Sequence, residues 1–179
     1  MIAGVTKETF PGERRVALVP DSLAALAKAS VEVVVESGAG EAAGYPDEAY
    51  TQRGVEMAAR ADVLDRADTL LHVRTHGADP GSASDLSSLR DSQVVIGFAE
   101  PLEAHGRLKA VADTGASLLA MELMPRITRA QSMDALSSMA TITGYQAVLT
   151  AATRLPRMFP LLMTAAGTLA PARVLVIGA

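Results

Sequence analysis

The chain has no cysteine and no tryptophan, which excludes disulfide staples and thiolate metal sites and leaves no indole on which a nucleic-acid base could stack. Aromatic residues are 3% of the whole, and a net charge of −4 gives no basic footprint, so no nucleic acid is expected as a partner. The three histidines, His72, His76 and His105, show no ligand spacing beyond one His-x3-His in an expected loop, so no metal is expected either. The most apolar tract, 158 to 179, is broken by Pro160, Gly167, Pro171 and Arg173, and offers no run of about twenty apolar residues to span a bilayer. The start, Met-Ile-Ala-Gly-Val-Thr-Lys-Glu, lacks an apolar targeting core, which points to the cytoplasm. What is present is 49% hydrophobic and 20% charged over 179 residues, enough for one large or two small globular domains.

Along the chain, short β-branched runs alternate with helical patterns. Strands are expected over 2 to 5, 31 to 36, 69 to 74, 93 to 98 and 117 to 123. Between them, Pro20-Asp21-Ser22 opens a helix to residue 29 with Leu23 and Leu26 inward, and Pro46-Asp47-Glu48 opens a second, stopped by Gly54. Further helices are expected over 60 to 67 and 102 to 113, the last ended by Gly115. Residues 77 to 88, rich in Gly, Ala, Ser and Asp, read as a surface loop. This alternation predicts an α/β fold, a doubly wound parallel sheet filling residues 1 to 122. Lys7, Glu8, Arg14 and Arg15, after the first strand, read as a solvated edge rather than a substrate edge, because charge runs usually face water. Gly38-Ala39-Gly40 is only a weak phosphate-loop signal, without a third glycine or a following helix pattern.

Residues 123 to 179 read differently. Pro125 breaks an apolar run, and Arg126, Arg129, Gln131, Ser132, Asp134, Ser137 and Ser138 follow closely. Ala135, Leu136, Met139, Ala140, Ile142 and Ala147 then recur at the spacing of a buried helical face, so a polar loop runs into a helix expected from 128 to 154. Amides at a helix start carry partial positive charge, and guanidinium, amide and carboxylate side chains beside them can bind a flat polar group such as a carboxamide. The residues alone leave a second reading open, in which Ser132 or Asp134 caps the helix and the arginines are solvated. A Gly/Pro-punctuated connection, 161 to 172, leads to an expected buried strand over 173 to 178. It ends at Gly178, where a dinucleotide-binding turn would begin, as the first strand of a second, incomplete Rossmann domain.

The run Met-Pro-Arg-Ile-Thr-Arg-Ala-Gln-Ser-Met-Asp-Ala-Leu-Ser-Ser-Met-Ala, followed by Gly144-Tyr145, resembles the nicotinamide loop of proton-translocating NAD(P) transhydrogenase, in the NAD(H)-binding domain I of its alpha subunit. Lys7-Glu8, Glu13 to Pro20, Glu36 to Gly40, Met163 to Thr168 and Pro171 to Val176 extend the resemblance over most of the chain. It implies NAD(H) bound by this subunit, NADP(H) on a partner domain, and direct hydride transfer coupled to proton movement through a membrane (beta) subunit. It implies cofactor contacts from Arg126, Gln131, Ser132, Asp134, Ser137 and Gly178, with Gln131 and Asp134 in the catalytic positions and Tyr145 in core packing. It also implies a homodimer of the intact domain, held peripherally at the membrane by partner subunits.

Alanine dehydrogenase resembles the same opening, Arg-Val-Ala-Leu-x-Pro. Its chemistry needs a lysine and a proton-carrying histidine near the strand ends, where this sequence has Arg74 and Phe98. His72 stands where lysine is usual in both relatives. A third possibility is a non-catalytic fragment: without the glycine turn and ribose ligand, these 179 residues alone are expected to bind nucleotide weakly and to need a partner.

Overall fold

The computed structural model describes residues 1 to 178. They form two compact units, divided after Asp134.

Among the described residues the first unit contains one sheet of six parallel strands: β1 (Ile2–Val5), β2 (Glu32–Glu36), β3 (Glu56–Ala58), β4 (Thr69–Arg74), β5 (Val94–Phe98) and β6 (Ser117–Ala120). Their order is β3-β2-β1-β4-β5-β6. Chain order therefore reverses between β1 and β4, which makes a doubly wound, Rossmann-like sheet with its crevice beyond the carboxyl ends of those two strands. Helices α1 (Leu23–Lys28), α2 (Asp47–Thr51), α3 (Arg60–Arg66) and α4 (His105–Ala112) connect the strands.

Alternation within β2 shows how the sheet is covered. Val35 packs with Val5, Val16, Leu18, Leu23 and Tyr50 in one core cluster, while its neighbour Val34 packs with Val63, Leu64, Ala67, Leu70 and Val95 in another. Successive strand side chains point to opposite faces, so a continuous Val run marks a strand buried on both sides. Two buried polar groups are paid their hydrogen bonds. Tyr50 donates its hydroxyl to the Leu18 carbonyl at 2.9 Å. The Gln93 amide donates to the Leu64 and Ala67 carbonyls at 2.9 and 2.8 Å and accepts from the Arg90 amide at 2.8 Å. Gly4 is required by close approach: a Cβ there would stand 2.7 Å from the Ala67 Cβ, so α3 could not lie so near β1.

The strand and helix positions expected for the first unit are largely realised, with three differences. β3 was not expected, because Glu56-Met57-Ala58 contains no β-branched residue; pairing with β2 supplies what propensity does not. Residues 80 to 88 form a 3-10 segment (Pro80–Ser88), and Ala78, Asp79 and Ser82 are buried, so this stretch is no plain surface loop. The strand expected to reach 123 ends at Ala120 and gives way to a 3-10 turn, Met121–Leu123.

The second unit departs further. The long helix α5 (Ala135–Arg154) begins at 135 rather than 128, because Thr128–Met133 is a 3-10 segment and Asp134 takes φ −77°, ψ 86°, outside the helical region. None of its residues is buried: Ile142 is 68% and Tyr145 69% exposed, so the expected buried face and the core role for Tyr145 are not found among the described residues. Residues 161 to 172 contain an antiparallel pair, β7 (Leu162–Thr164) and β8 (Gly167–Leu169), turned at Ala165-Ala166, with Gly167 beginning β8 at φ +132°. The strand expected over 173 to 178 is not formed, and Gly178 lies exposed in irregular chain. A parallel strand exists only through a neighbour's amides and carbonyls, and no described strand pairs with it. No helix among the described residues is long and apolar enough to cross a membrane.

Candidate functional site

Two polar clusters lie beyond carboxyl strand ends. The first occupies the switch point. Glu8, in the loop after β1, accepts from the backbone amides of Val73 at 2.7 Å and Arg74 at 3.0 Å, tying that loop to the end of β4. Burial, helped by the repulsion of Glu13 and Asp79, pushes the Glu8 carboxyl up against the lowering effect of these two bonds. Glu13 accepts from Arg15 Nε at 2.8 Å and Nη2 at 2.6 Å and from Arg74 Nε at 3.0 Å. Chiefly through the Arg15 bond, its carboxyl is lowered to about 2. Arg74 also stacks over Phe10, 4.3 Å from the ring centroid.

Nearby, Arg60 joins three segments. It pairs with Glu36 at 2.8 Å and with Asp85 at 2.5 Å, and donates to the Lys7 carbonyl at 2.9 Å. Burial opposes its charge, but Asp85 and Glu36 outweigh this and raise its pKa. The same Arg60, with burial as the larger cause, lowers His72 to about 4, so the imidazole is neutral and shares a 3.3 Å hydrogen bond with Thr6 Oγ1. A neutral ring beside Arg60 avoids the like-charge contact that a lysine there would bring. His76 Nδ1 meets Ser82 Oγ at 3.3 Å, and no group of three or more His, Asp or Glu among the described residues could hold a metal.

The expectation of a solvated edge holds for Lys7, Arg14 and Arg15, which are exposed, but not for Glu8, which is turned inward. No sequence signal marks it, since its partners lie 65 and 66 residues away. Gly38-Ala39-Gly40 also serves structure: the Gly38 amide, at φ +77°, donates to Asp47 Oδ1 at 2.8 Å, and a Cβ on Gly40 would meet the Tyr45 carbonyl at 2.5 Å.

The second cluster is the loop from 124 to 134, which leaves β6 through the 3-10 turn Met121–Leu123. Arg126, Gln131 and Ser132 are exposed, and no hydrogen bond or ion pair engages their side chains among the described residues. Ala130, at 3% exposure, is the loop's buried pin. Asp134 closes the first unit and immediately precedes α5, in a helix-capping position. Ser137 lies in the first turn of α5, in the second unit, as does Gly178. The loop thus brings Arg126, Gln131, Ser132 and Asp134 into one segment of the first unit. Its chemistry, a guanidinium, an amide, a hydroxyl and a carboxylate, fits a carboxamide, which both donates and accepts.

A family model for the alanine dehydrogenase/PNT N-terminal domain matches residues 4 to 143, covering the sheet and the polar loop together. The chain belongs to this family. A family member, the NAD(P) transhydrogenase subunit alpha of Cereibacter sphaeroides, is 44% identical over 180 residues, covering 100% of this chain and 34% of that protein. The structure of transhydrogenase from Sinorhizobium meliloti superposes with a TM-score of 0.88 at 43% identity, over 96% of this chain and 50% of that one. Alanine dehydrogenase from Mycobacterium tuberculosis is more distant, 30% identical over all of this chain and 47% of its own length. The chain therefore spans between a third and a half of the relatives it matches.

Proposed function

We propose that this chain is the NAD(H)-binding part of a proton-translocating NAD(P) transhydrogenase, an oxidoreductase that passes hydride from NADH to NADP+. The observation that carries the reading is the loop from 124 to 134. It is polar, exposed and without internal partners at Arg126, Gln131 and Ser132, within a chain 44% identical end to end to a transhydrogenase alpha subunit. The nicotinamide supplies the hydride when bound, so this chain's residues need only bind, orient and exclude water. In this reading Arg126, Ser132, Asp134 and Ser137 hold the carboxamide and its neighbouring groups. Gln131 stands where the second nicotinamide arrives, and with Asp134 it fixes the reacting geometry. Gly178 begins the turn toward the pyrophosphate. NADP(H) comes on a partner domain, and proton movement belongs to a membrane beta subunit. The assembly is a homodimer of the intact domain, held on the cytoplasmic side of the membrane by those partners.

The switch-point cluster speaks against alanine dehydrogenase chemistry. Arg74 is held by Glu13 and Phe10, and the neighbouring strand ends at Phe98, which cannot carry a proton.

The reading is tested by titrating NADH, followed by its fluorescence, into this chain and into a chimera continued by the remainder of the Cereibacter sphaeroides subunit. We expect weak or no binding to the first and tight binding to the second. Gln131→Asn in the chimera should leave binding intact and slow hydride transfer to a supplied NADP+ domain. Tight binding by the short chain, or unchanged transfer by Gln131→Asn, refutes the placement of the cofactor.

A further inference from the structure

Between the sheet and the polar loop lies one carboxylate to which neither the fold nor the proposed chemistry has given a task. Glu122 is the middle residue of the 3-10 turn Met121–Leu123, two positions before the loop begins. Its Oε1 accepts two backbone hydrogen bonds, from the amides of Ala99 and Glu100, each at 2.8 Å. Those residues follow β5, the strand next to β6. Glu122 therefore bridges the exits of two adjacent strands with a charge-assisted pair of bonds, about twice as strong as neutral ones.

Two further observations mark this bridge as more than a stabilising contact. Glu100 adopts φ +50°, a left-handed conformation that is unfavourable for a residue bearing a Cβ. Its amide is one of the two that Glu122 holds, so the carboxylate fixes a strained backbone. The other carboxylate oxygen, Oε2, is buried and has no hydrogen-bond partner among the described residues. Burying an unpaired acceptor costs stability, so the position of Glu122 is not explained by its own hydrogen bonding alone.

The surroundings leave the turn little play. Ala99 is fully buried, and a Cβ on Gly77 would meet the Ala99 carbonyl at 2.0 Å, so the exit of β5 is packed from behind. The Glu100 carbonyl accepts from the Glu103 and Ala104 amides at 3.1 and 2.9 Å, and its side chain lies 3.9 Å from Arg74 and 3.7 Å from Arg107. Glu122 is thus bonded to a rigid point. From it the chain runs through Met124, whose amide donates to the Met121 carbonyl at 3.3 Å, to Arg126 and Gln131.

We propose that Glu122 is a positioning residue: by gripping the Ala99 and Glu100 amides it moors the 124 to 134 loop to the sheet and so sets where Arg126 and Gln131 stand. This rests on the reading of that loop as the nicotinamide-binding segment. Direct hydride transfer depends steeply on the alignment of two rings, so a loosened loop costs rate before it costs affinity. Glutamine keeps an acceptor for both amides, whereas alanine keeps none and aspartate is one methylene too short.

Hydrogen exchange on this chain reads the mooring without nucleotide. In Glu122→Ala and Glu122→Asp, amides at 99, 100 and 124 to 134 should exchange at least tenfold faster, with β1, β2 and β4 unchanged, while Glu122→Gln stays within about threefold of wild type. In the chimera, Glu122→Ala should lower kcat for hydride transfer about tenfold with the KM for NADH within about threefold, and Glu122→Gln should recover most of the rate. A loop that stays protected in Glu122→Ala overturns the mooring, whatever the chimera does. If Glu122→Ala loses the sheet itself, the Asp and Gln variants decide, and equal exchange in those two also overturns it. A loosened loop beside a wild-type chimera that binds no NADH or transfers no hydride sinks the functional reading instead, and with it the role in transfer.

Discussion

Beyond the carboxyl ends of β1 and β4, Glu8, Glu13, Arg60 and Arg74 are each held by another part of the chain; beyond β6, Arg126, Gln131 and Ser132 stand exposed and unengaged. Both clusters occupy the sheet edge where open α/β folds place ligands. At the switch point the charges have been turned on one another, so residues of the kind that recognise a small acid instead tie β1, β2, β4 and the Pro80–Ser88 segment together. In the 124 to 134 loop the hydrogen-bonding capacity is left for something outside. Polar residues at an edge are therefore sorted by what already satisfies them rather than by their position alone.

The difference can be broken at either end by mutation. Arg60→Ala should be the most damaging change, since it strands Glu36 and Asp85, whose side chains are only 16% and 12% exposed. A loss of roughly 3 kcal/mol is expected, the low end for removing one partner of a buried pair, read by urea denaturation. Glu13→Ala should cost roughly 2 kcal/mol by leaving Arg15 and Arg74 without their shared acceptor. Its contribution also has a pH signature. The folded carboxyl is depressed to about 2, so its stabilisation is whole above the unfolded value of 4.5 and drains away as pH falls toward 2. Glu13→Gln should flatten that limb of the stability profile.

A smaller effect belongs to His72. Its folded pKa is lowered from 6.5 to about 4, so between those values the unfolded chain binds more protons and stability falls as pH falls. This pH-dependent loss should vanish in His72→Gln, as measured by thermal melts at pH 7 and pH 4. The least effect is expected at the open cluster. Arg126→Ala and Ser132→Ala should stay within about 0.5 kcal/mol of wild type, because nothing in the described chain leans on those side chains. A cost above 1 kcal/mol at either position would erase the distinction between the clusters.

Much of the sheet was legible because burial on both faces forces long β-branched runs, as in Val33-Val34-Val35, and because Pro and Gly punctuate the connections. β3 was not, since Glu56-Met57-Ala58 becomes a strand only through its register with Val34 to Glu36. The loop around Gln131 was legible as polar and specific, yet the hydrophobic spacing predicts too long a helix, because Asp134 breaks the backbone without breaking that spacing. Residues 173 to 178 carry the composition of a strand and lack the neighbour that would make them one. Glu8, read as part of a solvated edge, and Glu122, without any sequence signal, share a reason: each acts on backbone amides more than twenty residues away, and a backbone amide has no letter in the sequence.

The alternation of Val34 and Val35 between two cores has an evolutionary consequence. β2 behaves like a reading frame of two: deleting one residue inside it would swap every inward valine to the opposite layer and damage both cores at once. Substitution of one valine by another branched side chain leaves the frame intact. Lineages of this domain should therefore accumulate insertions and deletions in the connections, with this strand fixed in length while its sequence drifts.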